Sequence, residues 1–132
     1  SFRKDREKYP KRIRTAEELI QSKVLTGCTD YAHLFIALCR AKKIPALYVE
    51  TFDGEWLKNP SNFIRGHIFV KVKFGQKEII VDPTRSSINF VGSYGKYKVL
   101  AEGTDFLTLF PNREKYLFAI SKYFGIKKDL LL

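Results

Sequence analysis

The chain has 132 residues, 45% hydrophobic and 29% charged, enough for one globular core and too few for two. This apolar and aromatic content excludes global disorder, and no apolar run reaches the ~20 residues that span a bilayer as a helix. Lys and Arg number 24 against 14 Asp and Glu, a formal charge of +10, which attracts anionic partners without choosing among nucleic acid, membrane surface and acidic substrate.

About a third of the basic residues fall in Arg3 to Arg14, RKDREKYPKRIR, where Asp5, Glu7 and Pro10 make a mixed, solvated arm. Residues 1–14 are read as that arm and 15–132 as a single domain. No RNA-binding aromatic signature, zinc-finger spacing or heptad accompanies the charge, so a basic solvated surface is preferred and nucleic acid is not expected as a partner. Starting at Ser1 and lacking Met, the chain reads as a processed product or an excised piece. It is expected to be soluble, in the cytoplasm or exported after losing a leader not present here.

Thr15-Ala-Glu-Glu18 forms a capping box that predicts a helix from Ala16 to about Lys23. Thr26 and Gly27 break it, and a longer helix is expected from Cys28 to about Lys43, ending ahead of Ile44-Pro45. Apolar side chains occupy nearly its whole circumference, with His33 and Arg40 as the polar stripe, a pattern that belongs at a domain centre. Its first turn, carrying Cys28, is expected to emerge at one edge. Cys28 and Cys39 would lie ~16 Å apart on this helix, too far for a disulfide.

Strands follow Pro45. Ala46 to Phe52 is the first, and a loop runs from Asp53 to Gly66. His67 to Phe74 and Lys77 to Asp82 flank Gly75-Gln76, the sequence of a two-residue type II′ hairpin. That turn pairs Phe74 with Lys77, Val72 with Ile79, Val70 with Val81 and Lys73 with Glu78, and sets Asp82 opposite Phe69. Ser86 to Tyr97 reads as loop with a short strand, and Lys98 to Ala101 as another strand. Asn112 caps a helix Arg113 to Phe124 that Gly125 ends, and the tail KKDLLL is left frayed or packed on a neighbour.

Cys28 sits at a helix N-terminus, where the dipole and free amides favour the reactive thiolate, opposed modestly by Asp30. Cys39, among Leu38 and Phe35, reads as a small core residue. Two histidines are available as a base. His33 lies about 140° around the helix from Cys28 and points away, into solvent or a local hydrogen bond. His67 opens a strand, and the hairpin register makes Asp82 its diagonal neighbour. An Asp accepting from one imidazole nitrogen fixes the tautomer and leaves the other for a thiol. Trp56, in FDGEWLKNPSNFIRG, either walls a substrate groove with Phe52 and Phe63 or pins the loop to the core. No metal-ligand cluster, phosphate-cradling loop or dinucleotide fingerprint is present, and no cofactor is expected.

Taken together, GCTDYAHLFIALCRAKKIPALYV (Gly27 to Val49), GHIFVKV (Gly66 to Val72) and VDPT (Val81 to Thr84) resemble the transglutaminase-like superfamily, a branch of the papain-like thiol enzymes. The resemblance runs from about Thr15 to Thr84. It implies an α+β cysteine-proteinase/transglutaminase-core fold, with a central buried helix packed on an antiparallel sheet. It also implies Cys28 as nucleophile, His67 as base and Asp82 as the orienting carboxylate. Phe69 and Lys71 stand where the family often has Trp and an acidic residue. The expected chemistry is acyl transfer on a peptide or protein substrate carrying an amide. The Cys28 backbone amide holds the oxyanion, and Gln21 is either a second donor or a solvated residue. Hydrolysis, as a cysteine peptidase or amidase, is preferred. A protein transglutaminase or deamidase, and a non-catalytic basic binding module on the same fold, are the alternatives.

Overall fold

The computed structural model describes residues 14–89 and 92–132, so the basic arm read over 1–14 lies, but for Arg14, outside the described residues. In chain order the elements are α1 (Ala16–Ser22), α2 (Cys28–Ala41), β1 (Ala46–Asp53), α3 (Gly54–Lys58), β2 (Gly66–Phe74), β3 (Lys77–Asp82), β4 (Ser87–Asn89), β5 (Tyr97–Gly103), α4 (Phe106–Leu109), α5 (Arg113–Phe124) and a 3₁₀ turn, Lys128–Leu131. The five strands form one antiparallel sheet in the order β4-β3-β2-β1-β5, and the class is α+β.

Local chemistry sets the element ends. The Thr15 hydroxyl accepts from the Glu18 amide, and the Glu18 carboxylate accepts from the Thr15 amide, each at 3.2 Å. Asn112 caps α5 by accepting from the Lys115 amide, and Gly125 takes the left-handed conformation that ends it. Gly75 has φ +59° in the β2–β3 turn, and the hairpin pairs as expected, from Phe74 with Lys77 to Val70 with Val81. Lys73 faces Glu78 in register, yet the Glu78 ion pair runs diagonally to Lys71 at 3.6 Å. Between β1 and β5 the register shifts at Glu50/Thr51.

Alternation along the strands divides the core. One face turns Tyr48, Ile68, Val70, Val72, Ile79 and Val81 onto Ala32, Ile36 and Cys39 of α2 and onto Phe106 and Phe110. At the end of that face Phe52 and Trp56 pack with Leu117, Ile120, Ile126 and Leu131. The other face carries Val49, Phe69 and Ile80 under Tyr94, Tyr97 and Val99.

The central, all-round buried helix expected from the sequence is corrected here. α2 buries one face, through Asp30, Ala32, His33, Ile36 and Cys39, while Leu38 is 58% exposed. The sheet offers α2 a single surface to pack against, so an apolar circumference does not by itself make a helix central. Two further elements escaped sequence reading: α3, inside the expected 53–66 loop and capped by Asp53, and α4, capped by Asp105. The C-terminal tail packs on its own chain, with Leu131 fully buried against the α5 cluster. No helix among the described residues is long and apolar enough to cross a membrane.

Candidate active site

His67 is the second residue of β2 and Asp82 the last of β3, so the hairpin register sets them diagonally on one face. The His67 Nε2 and an Asp82 carboxylate oxygen are 2.7 Å apart, and both side chains are buried. The imidazole is enclosed by Phe69 edge-on at 5.1 Å and Tyr97 at 5.3 Å. Its backbone is pinned as well, because the buried Thr51 hydroxyl donates to the His67 carbonyl at 2.8 Å. With Nε2 directed at the carboxylate, Nδ1 is the nitrogen left for a reacting group. Just upstream, Asp53 accepts from the Glu55 amide and pairs with Lys96 and Arg65, at 3.2 and 3.5 Å. The Glu55 amide first, then Lys96, hold the Asp53 carboxyl below its ordinary range.

Cys28 is the first residue of α2 and half-buried, packed on the helical side against the cluster of Tyr48, Ile68 and Val70. Gly27 at the N-cap brings no side chain to cap the first-turn amides. The expected opposition from Asp30 is answered by Arg14, which donates to its carboxylate at 2.6 Å, and by the Thr26 amide and hydroxyl. The Tyr48 phenol lies against Cys28 and Thr29, and Glu50, two residues along the same face, reaches toward Gly66. The first turn of α2 and the start of β2 therefore share one end of the sheet. His67 and Asp82 meet directly on the aromatic side; Cys28 stands on the helical side.

The other singled-out residues separate clearly. His33 is buried, which corrects the solvent-facing half of its reading: Nδ1 donates to the Arg14 carbonyl at 3.0 Å, and Nε2 accepts from the Phe106 amide at 3.3 Å. With both nitrogens engaged it is a structural staple. Gln21 is exposed on the last turn of α1. Phe52 and Trp56 are core residues with rings 5.8 Å apart, so a substrate wall built from them is corrected to the loop-pinning role, while Phe63 is 50% exposed. A groove of about 410 Å³ runs along α2 past Arg14, His33, Arg40 and Asp105, and neither Cys28, His67 nor Asp82 lines it.

Sequence reading missed Glu50. The available signal was an acidic residue at an inward position of β1, between Tyr48 and Phe52. The Tyr48 hydroxyl donates to Glu50 at 3.1 Å, and Tyr116 also bonds it. Burial outweighs both bonds and pushes the Glu50 carboxyl from 4.5 up to about 8. Across that window the folded chain holds a proton the unfolded chain has lost. This group's contribution is thus complete below the unfolded value and falls away as pH rises toward the folded one. Glu50→Gln has no proton to hold. Its Tm advantage over wild type is expected to grow from pH 5 to 8, by about 1.4 kcal/mol of stability per unit, and to level off above. Thermal melts across that range check it, and an advantage that shrinks with rising pH would show a carboxylate already charged in the fold.

A family model described as the transglutaminase-like superfamily matches residues 1–83, a stretch that holds Cys28, His67 and Asp82. No curated protein and no solved structure matches the chain.

Proposed function

The chain belongs to the transglutaminase-like superfamily, and from that premise we propose a thiol enzyme that transfers acyl groups from peptide or carboxamide bonds, with water as the usual acceptor. The observation that carries the reading is the buried 2.7 Å His67–Asp82 pair, which commits Nε2 and leaves Nδ1 as the other ring nitrogen; that Cys28, at the start of α2, meets it is part of the proposal.

The Cys28 thiolate attacks the carbonyl carbon and forms the C–S bond, and the carbonyl π electrons move to oxygen. The Cys28 backbone amide, in a first turn without a side-chain cap, steadies that oxyanion, and Gln21 is the candidate for a second donor. Protonated His67 gives its proton to the leaving nitrogen as the C–N bond breaks. Water then attacks the thioester, His67 takes the water proton, and the C–S bond breaks to release an acid and restore Cys28. Asp82 holds the imidazole in the required tautomer throughout. An amine in place of water would make the same site a transglutaminase. Hydrolysis is preferred because water is always at hand.

Profiling wild type and Cys28→Ala on a library of peptides and carboxamides, with and without an added primary amine, tests this. Wild type is expected to release acid, Cys28→Ala to release none, and the amine to add little coupled product. Dominant coupling would turn the reading to transamidation. No turnover of any amide, or full turnover by Cys28→Ala, would remove the thiol mechanism.

A further inference from the structure

Behind Cys28 lies a second constellation that the triad chemistry leaves unused. Tyr48 is fully buried and Glu50 is 2% exposed, both on the inner face of β1 and 3.1 Å apart through oxygen atoms. Tyr48 is also bonded by Thr29 in the first turn of α2, and Glu50 by Tyr116 of α5. Among the described residues, no Lys or Arg forms an ion pair with Glu50. A carboxylate sealed among phenols costs several kcal/mol to charge, so the group keeps its proton instead.

Around the pair, α4 brings the Phe106 ring, edge-on to Tyr48 at 6.1 Å. α2 presents Cys28, Thr29 and His33, whose ring lies 5.3 Å from that of Tyr48. α5 presents Tyr116, β2 sets Ile68 opposite Glu50 and Gly66 beside it, and β5 sets Ala101 opposite. Of these, His33 has both ring nitrogens bonded to backbone, and Tyr48 is itself held well above the ordinary phenol range, by burial first and Glu50 second. Cys28 is left as the side chain whose proposed chemistry calls for a negative charge.

We infer that Glu50, acting through Tyr48, is a positioning residue for Cys28: an uncharged carboxylic acid beneath the first turn of α2 that leaves the Cys28 thiolate as the single negative charge this spot accepts. Tyr48 and Glu50 are too deeply buried to touch a substrate, so the pair acts on the thiol and not on the reacting amide. The inference rests on Cys28 being the nucleophile. It also gives a use to a carboxyl whose burial lowers stability at neutral pH. Linkage makes the effect mutual: a thiolate formed first delays charging of Glu50, and a charged Glu50 opposes the thiolate.

The test follows the Glu50 carboxyl by ¹³C NMR against pH, in wild type and in Cys28→Ala. Glu50 is expected to remain protonated at pH 7, and its midpoint to fall by at least about half a unit, roughly threefold in proton affinity, when Cys28 is removed. In parallel, Glu50→Gln, a neutral replacement, is expected to keep Cys28 alkylation at pH 6 within about twofold of wild type. A midpoint in the ordinary carboxylate range, the same midpoint in Cys28→Ala, or tenfold faster alkylation in Glu50→Gln would each overturn the inference. The NMR arm needs no Glu50 variant, so it decides even where Glu50→Gln fails to fold. No arm reads amide turnover. A protein with coupled titrations and no hydrolysis would lose the proposed function and keep this linkage.

Discussion

At pH 6, iodoacetamide is expected to alkylate Cys28 at least about a hundredfold faster than Cys39, two thiols eleven positions apart on one helix. Only the thiolate reacts, so the ratio compares two electrostatic surroundings. Cys28 is half-buried at the positive end of α2, and the carboxylate in the same first turn, Asp30, is paired with Arg14 at 2.6 Å. Cys39 is buried in the last turn of α2, where burial pushes its thiol up and Arg40 offsets only part of that. The raised thiol of Cys39 holds less thiolate at pH 6 than a thiol at a helix N-terminus, and its burial limits access as well. Peptide mass spectrometry on a time course reads both sites in one sample. Equal rates would mark Cys28 as an ordinary thiol and favour a binding module on this fold.

Asp82→Asn is expected to lower amide hydrolysis by about 10³- to 10⁴-fold with little change in Tm. The carboxylate accepts from Nε2–H and so keeps the Nδ1 lone pair available to take a proton. An Asn amide in its place donates to Nε2, and the ring proton moves to Nδ1, the nitrogen that must act as base. Asn keeps the size of Asp and can still accept from the Arg85 amide as Asp82 does at 3.3 Å, so the fold is preserved. The loss should therefore appear in kcat rather than in the melting curve. A rate within tenfold of wild type would remove Asp82 from the mechanism.

The sequence disclosed what is decided locally. The Gly75 turn fixes the β2–β3 register, and that register alone brought His67 and Asp82 to one face. The Thr15 and Asn112 caps were legible because cap and acceptor are three residues apart. What stayed hidden depends on partners remote along the chain. His33 enters the core because carbonyl and amide partners 19 and 73 residues away satisfy its ring. Trp56 leaves the surface because α5 and the C-terminal turn supply the rest of its cluster. Glu50 stays buried because phenols on β1 and α5 bond it and a helix covers it. Hydrophobic patterning assigns such residues by type, whereas their burial is set by tertiary neighbours.

β1 has an unusual division of labour. Its inward residues Tyr48 and Glu50 back the thiol, while its outward Thr51 grips the His67 carbonyl, and the shift against β5 falls between Glu50 and Thr51. Since neighbouring side chains of a strand point opposite ways, inserting or deleting one residue here would exchange the two sets wholesale. Sulfur and imidazole would lose their supports in the same event. Anyone re-engineering this scaffold for a new substrate has an indel-intolerant spine in β1, with freedom to lengthen or reshape the largely exposed stretch 59–63 between α3 and β2.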